Sequence, residues 1–203
     1  MRFYVSHFIK LYKKMKHKFL MSLYDDWTIC EFYRKKGAKI GKDCRIYRPF
    51  YCDEPFLIEI GDHVNIARGV TLATHDGASW VFRKEKPFMR FYGKIVIEDN
   101  CFIGADSMIL PGVRIRENSI IGAKSVVIND VPPGSLVLGV PARVFSTTKV
   151  YKEKCLKERA KLGLDIFDYM FEGLTVQEVE KLMNSKAFIY KLREHLAKIY
   201  NDA

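Results

Sequence analysis

Ile97-Glu98-Asp99-Asn100-Cys101-Phe102 opens a run that continues IGADSM, ILPGVR, IRENSI, IGAKSV and VINDVP, ending at Pro132. Every sixth residue (97, 103, 109, 115, 121 and 127) is Ile or Val, and the residue four places later (101, 107, 113, 119, 125 and 131) is Cys, Ser or Val. A period of six fits neither a lone amphipathic helix, with its repeat of about 3.6, nor a strand in an open hairpin sheet, with its repeat of about two. It reads as a solenoid of six-residue units, each one short strand and one turn. Three such units close a triangular coil of about 18 residues, and stacked coils put equivalent residues above one another at roughly 4.8 Å. The branched aliphatic then points inward and fills the core, and the small residue sits where the chain bends. Gly104, Gly112 and Gly122 fall near turns, where close backbone approach suits glycine.

Outward from this stretch the pattern thins in an informative way. Repeats begin at Ile40 and Ile46, with Cys44 and Phe50 in the second position, and the phase slips across residues 51–59. It recovers at Ile60, continues through Ile66 and Leu72, and breaks after Thr74-His75-Asp76. From Gly77 to Lys94 there are no repeats, yet the segment carries Trp80, Phe82, Phe88, Phe91 and Tyr92 beside Arg83, Lys84, Lys86 and Arg90. An excursion of that length is either a functional flap or a disordered insert. Its aromatic content argues against disorder and fits a flap or packing on a neighbouring subunit.

The expected organisation is an all-β solenoid core over residues 38–147 with an inserted loop at 77–94, flanked by a basic helical segment at 1–37 and a helical extension at 148–203. Within the first segment a short helix is expected over 26–36, stopping at Gly37. Residues 2–20 place Phe3, Phe8, Leu11, Tyr12, Met15 and Phe19 at roughly helical spacing between lysines. That pattern fits a helix capping the solenoid or one lying on a membrane surface. In the extension, Thr175-Val-Gln-Glu178 forms a capping box, and Phe188, Leu192, Leu196 and Tyr200 line one helical face.

The net charge of +10 is uneven: residues 1–36 carry nine Lys/Arg against three Asp/Glu, hence +6. The repeat region is nearly balanced, which speaks against a nucleic-acid groove. Five cysteines are scattered without a CxxC pair, and Cys44 and Cys101 occupy the small inward position, as core thiols of a reducing compartment would. No apolar run approaches the roughly 18 residues of a membrane span, and the charged start lacks a signal peptide's apolar stretch. The expected location is cytoplasmic, with peripheral contact at the inner face of the membrane through residues 1–20 as a further expectation.

Over roughly residues 40–145 the chain resembles the hexapeptide-repeat acyltransferases. That resemblance implies a left-handed parallel β-helix, a handedness that spacing alone does not give. The run Ile60-Gly61-Asp62, Ile66-Ala67, Val70-Thr71-Leu72, Thr74-His75 is similar to the segment ending in the catalytic histidine of the galactoside and maltose acetyltransferase group. Cys101 through Arg143 is similar to that group's acetyl-CoA segment, and Thr74-His75-Asp76-Gly77 followed by Trp80-Val81-Phe82 resembles the sugar and polysaccharide O-acetyltransferases. The resemblance implies an acetyl-CoA-dependent O-acetyltransferase acting on a sugar destined for surface polysaccharide, assembled as a homotrimer with the site between subunits. The alternatives are N-acetylation of an amino sugar or amino acid, and a non-catalytic solenoid scaffold at the membrane surface.

His75 is the expected base, because O-acetyl transfer needs a group near neutrality to take the acceptor hydroxyl's proton. Asp53, Glu54, Glu59 or a backbone carbonyl could orient it; Asp76, adjacent on the strand, points to the opposite face. For the donor, the resemblance implies Phe102, Ala105 and Ala123 along the pantetheine arm, with Arg143 and Lys124 at phosphate. Lys124 stands where the group usually has glycine. Asp76, Trp80 and Arg83 are candidates to touch the acceptor. His63 plus His75 fall short of a three-histidine metal site, so no metal is expected.

Overall fold

The computed structural model describes residues 23–201 together with Met15. Apart from Met15, the amphipathic segment expected at 2–20 therefore lies outside the described residues. The chain divides into two compact units, Met1–Thr148 and Lys149–Ala203.

In the first unit short strands recur on three faces. The first face stacks Lys39–Ile40, Ile58–Ile60, Ile95–Ile97 and Arg114–Ile115; the third stacks Tyr51–Cys52, Thr71–Leu72, Met108–Ile109 and Val126–Val127. The second stacks Arg45–Ile46, Asn65–Ile66, Phe102–Ile103, Ile120–Ile121 and Ser135–Gly139, and the pairing from coil to coil is parallel. The chain visits the faces in rotation. A two-residue strand turns one side chain out and one in, and the inward one is the hexad aliphatic: Ile97, Ile103, Ile109, Ile115, Ile121 and Val127 are all buried.

The small position is buried as well, and its polar members bond to the next coil. Ser107 Oγ donates to the Gly122 carbonyl at 2.9 Å, Ser119 Oγ to Pro132 at 3.0 Å, and Cys101 Sγ lies 3.2 Å from the Arg116 carbonyl. A Ser or Cys here satisfies a carbonyl that the bend would otherwise bury unpaired. Burial pushes the Cys101 thiol up to about 11 and the Cys30 thiol up to about 12, which leaves both as inert core groups.

The corner between the first and second faces is built from left-handed residues, one per coil: Asp43, His63, Asn100 and Asn118 all have positive φ. Asn and Asp adopt this conformation more readily than other non-glycine residues. His63 Nδ1 lies 2.8 Å from Asn100 Oδ1, and Asn100 Nδ2 donates to Asn118 Oδ1 at 2.7 Å, so His63 serves the corner. Just before it Gly61 has no room for a side chain, since a Cβ there would stand 2.1 Å from Asp99 Oδ1. That carboxylate accepts the Asp62 amide at 2.7 Å.

At its start the coil is closed by the helix Ile29–Lys35, which buries Ile29, Cys30, Phe32 and Tyr33 against it. Tyr33 meets Phe50 edge-on at 5.0 Å. Gly37 follows at φ +95°, just beyond the expected helix. At the far end Ser135–Gly139 folds back antiparallel onto Ala142–Thr147.

The second unit holds helices over Val176–Met183 and Lys186–Asn201, preceded by the helix Thr148–Lys161 that begins at the boundary. The capping box is present, with Glu178 Oε2 accepting the Thr175 amide at 2.8 Å. Phe188 is buried against Phe167 and Phe171, and His195 Nε2 donates to the Leu162 carbonyl at 2.7 Å. No helix among the described residues is long and apolar enough to cross a membrane.

Ile103→Ala empties a fully buried site with strands on both sides, so it should cost about 2–5 kcal/mol. Denaturant titration reads this as a lowered midpoint; an unchanged midpoint would contradict the inward stack.

Candidate active site

Strand register shows where the coil admits extra residues. Arg114 pairs with Val96, 18 residues earlier, the spacing of an uninterrupted coil. Between the first two coils the spacing is 20, from Lys39 to Glu59, and between the next two it is 37, from Glu59 to Val96. Both surpluses leave at the corner between the third and first faces. The small one is a 3₁₀ turn, Pro55–Leu57, preceded by Glu54; the large one runs from Thr74 through the 77–94 segment. The two loops therefore stack on each other, and each brings one functional group.

Glu54 and His75 meet there. His75 Nδ1 lies 3.0 Å from Glu54 Oε2, and the same oxygen accepts the hydroxyl of Thr74, a fully buried residue. Burial works to raise the Glu54 pKa, but the hydrogen bonds from Thr74 and His75 outweigh it and hold the carboxyl below its ordinary range. An ionised carboxylate only accepts, so Nδ1 carries the proton and Nε2 is left as the basic nitrogen. Of the alternatives open in the sequence, the structure selects Glu54. Glu59 pairs with Lys94 instead, and the Asp76 carboxylate accepts the Ala78 amide at 2.7 Å.

His75–Asp76 pairs antiparallel with Phe91–Tyr92, placing the His75 and Tyr92 rings 5.8 Å apart. Between this ribbon and the 3₁₀ turn Ala78–Phe82 opens a cleft of about 650 Å³, lined by His75, Trp80, Arg83, Phe88, Arg90 and Tyr92 among others. Trp80 and Arg83, expected at the acceptor, are in its wall, with the Arg83 guanidinium 4.2 Å from the Trp80 ring centroid. Asp76 is not in the lining.

The donor candidates gather elsewhere. Phe102 is on the outer side of the second face, and Ala105, Ala123 and Lys124 sit on the corner between the second and third faces, one coil apart. Lys124 has φ +58°, a conformation natural to glycine, and its Nζ is 3.3 Å from Asp106 Oδ2. Arg143 follows in the fold-back strand, opposite Leu138 and just above that corner. Within one chain His75 and this group lie at opposite ends of the third face.

A family model described as bacterial transferase hexapeptide (six repeats) matches residues 94–129. A 127-residue stretch is 45% identical to Protein CapG of Staphylococcus aureus and spans 61% of this chain and 74% of that one. The chain belongs to the hexapeptide-repeat acetyltransferase family. It is also 29% identical over 160 residues to the galactoside O-acetyltransferase of Lactococcus lactis, covering 68% of this chain and 76% of the relative. Among solved structures, a hexapeptide-repeat-containing acetyltransferase of Vibrio cholerae superposes with a TM-score of 0.51 at 28% identity, over 61% of this chain and 81% of that one. That Vibrio protein has also been solved in complex with acetyl-coenzyme A.

The sequence alone gave Thr74, Arg90 and Tyr92 no individual role at the site. The slip of phase at 51–59 signalled that Glu54 stood off the regular coil, but Thr74 gave no sign of its bond to it.

The Glu54 geometry has a pH consequence. A carboxyl held below its unfolded value, ordinarily ~4.3 for glutamate, stabilises the fold fully above that value and loses the contribution as pH falls through the folded one. The stability gap between wild type and Glu54→Gln should therefore be widest near neutrality and narrow below about pH 4. Denaturant midpoints measured across pH check the sign.

Proposed function

We propose that this chain is an acetyl-CoA-dependent O-acetyltransferase that modifies a sugar hydroxyl in the assembly of surface polysaccharide. The observation that carries the reading is the Thr74–Glu54–His75 arrangement at the mouth of the cleft. Support comes from the galactoside acetyltransferase relative and from the acetyl-coenzyme A complex of the Vibrio protein.

In this mechanism the acceptor oxygen attacks the thioester carbonyl carbon while His75 Nε2 takes its proton. Glu54 accepts from Nδ1–H throughout, and so stabilises the imidazolium as it forms. The tetrahedral intermediate expels the coenzyme A sulfur as the C–S bond breaks, and the imidazolium returns the proton to that thiolate. The products are the acetyl ester and the free thiol, with the enzyme unchanged. Phe102, Ala105 and Ala123 would flank the pantetheine arm, and Arg143 and Lys124 would meet its phosphates.

Because base and donor residues stand at opposite ends of one face, a complete site calls for two copies of the chain. The third face turns Tyr51 and Met108 outward as exposed apolar side chains, which suits contact with a second copy. We take the assembly to be a homotrimer of left-handed coils, working in the cytoplasm with residues 1–20 available to the inner membrane surface.

Two measurements test the reading. Calorimetric titration with acetyl-CoA should show binding that Arg143→Ala weakens roughly tenfold or more, the loss of a charged hydrogen bond. Thiol release with a sugar acceptor should fall about 10²–10⁴-fold in His75→Ala while acetyl-CoA affinity holds. Wild-type protein that takes up no acetyl-CoA, or a His75→Ala variant with full turnover, would defeat the proposal.

A further inference from the structure

The charge of the coil is not spread evenly. Residues 37–148 carry fourteen Lys/Arg and twelve Asp/Glu. Five of those cations but one of those carboxylates, Glu85, fall within 77–94, leaving nine against eleven on the rest. The positive charge of the repeat unit is thus gathered on the segment that walls the cleft beside His75. Among the cleft's lining residues there is no Asp or Glu, and the permanently charged ones are Arg83 and Arg90.

These two differ from the arginines that stand in ion pairs. Arg34, Arg114 and Arg159 each sit against a carboxylate. Arg83 and Arg90 make no ion pair among the described residues, and are held instead by neutral groups. Arg83 stacks on Trp80, and Arg90 Nη1 donates to the Tyr92 hydroxyl at 3.4 Å. Such contacts orient a guanidinium without neutralising it, leaving its donor fork open to a ligand. Glu54, whose charge acts on Arg90, already accepts from Thr74 and His75, and the Asp76 carboxylate accepts the Ala78 amide.

Two guanidinium groups without an ion-pair partner favour a ligand that brings negative charge over one that merely hydrogen-bonds. A neutral sugar can accept hydrogen bonds from them, but a carboxylate or phosphate matches their fork geometry and charge. The aromatic side chains Trp80, Phe88 and Tyr92 supply the flat surface that a pyranose ring covers. We propose that the acceptor is an anionic sugar, carrying a carboxylate or phosphate group that Arg83 and Arg90 hold while a ring hydroxyl faces His75. The inference rests on the transferase reading of the same cleft and names its substrate class.

The test is calorimetric titration of the full chain saturated with coenzyme A, so that donor phosphate sites are already filled. The ligands share one ring: methyl β-galactopyranoside, its uronic acid and UDP-galactose. At least one anionic ligand should bind tenfold or more tightly than the neutral glycoside, and added salt should shrink that preference. The uronic acid and nucleotide arms separate a ring carboxylate from a diphosphate. Arg83→Gln with Arg90→Gln should remove the advantage; both side chains are exposed, so the variant's thermal midpoint should match wild type. Equal affinities, no measurable binding of either anion, or a preference that survives the double variant would overturn the proposal. The separate acetyl-CoA titration reads the transferase proposal, so failure of one is distinguishable from failure of the other.

Discussion

Each coil must lay its inward aliphatic side chain directly on the one below, and that constraint governs everything else in the repeat unit. Ile66, Ile103 and Ile121 are in parallel register across three coils and have no exposed surface. Shifting one coil by a single residue would turn its core side chains outward and bury its polar ones. Extra residues can enter only where they leave the stack and return without changing phase, and this means at a corner. Both departures from the 18-residue coil use the same corner, the short one carrying Glu54 and the long one carrying Thr74 and His75. The site is therefore a consequence of how a rigid periodic core tolerates irregularity. The core fixes the corner, and the stacked loops supply the chemistry.

The repeat was legible because its two buried positions are chemically narrow. An inward strand residue must fill space without polar atoms, and a bend residue must be small, so six consecutive hexads advertise themselves. The candidate base drew notice for a different reason: His75 stands where periodicity stops. Its partner was not. The slip over 51–59 says that residues are in surplus, yet Asp53, Glu54 and Glu59 all lie near it, and only the 3₁₀ turn at Pro55–Leu57 decides which carboxylate is raised toward the histidine. Thr74 was hidden more thoroughly, since a buried threonine next to a repeat looks like core until its hydroxyl is seen on Glu54. His63 is the reverse case: as a turn residue it gave no sign of bonding, and the coil uses it to join one corner to the next.

The candidate donor positions came from the family resemblance, and the coil explains why small residues stand there. A Cβ on Gly104 would meet the backbone nitrogen of Ala123 at 2.5 Å, so successive coils touch backbone to backbone at that corner. Side chains are thinned out, and a long narrow ligand can approach the amides. The corner that carries His75 has the opposite character, with bulky aromatic and cationic side chains standing off the coil. One triangular face separates the two, so an acyl group held at the first meets a base at the second most simply when copies of the chain lie face to face.

The cleft also sets an electrostatic problem that the chain solves locally. In the proposed mechanism His75 becomes a cation as it takes the acceptor's proton, in a cleft that already holds two guanidinium groups. Glu54 is the carboxylate at closest range, already ionised and already bonded to Nδ1. Thr74 keeps one of its oxygens in place through a hydroxyl buried in the wall of the coil. An anionic acceptor works in the same direction from the other side, neutralising Arg83 and Arg90 as the proton moves. The carboxylate bonded to the histidine and the arginines lining the cleft thus have separate roles. On the proposed reading, Glu54 stabilises the charge that the reaction creates, and the arginines select the charge that the substrate brings.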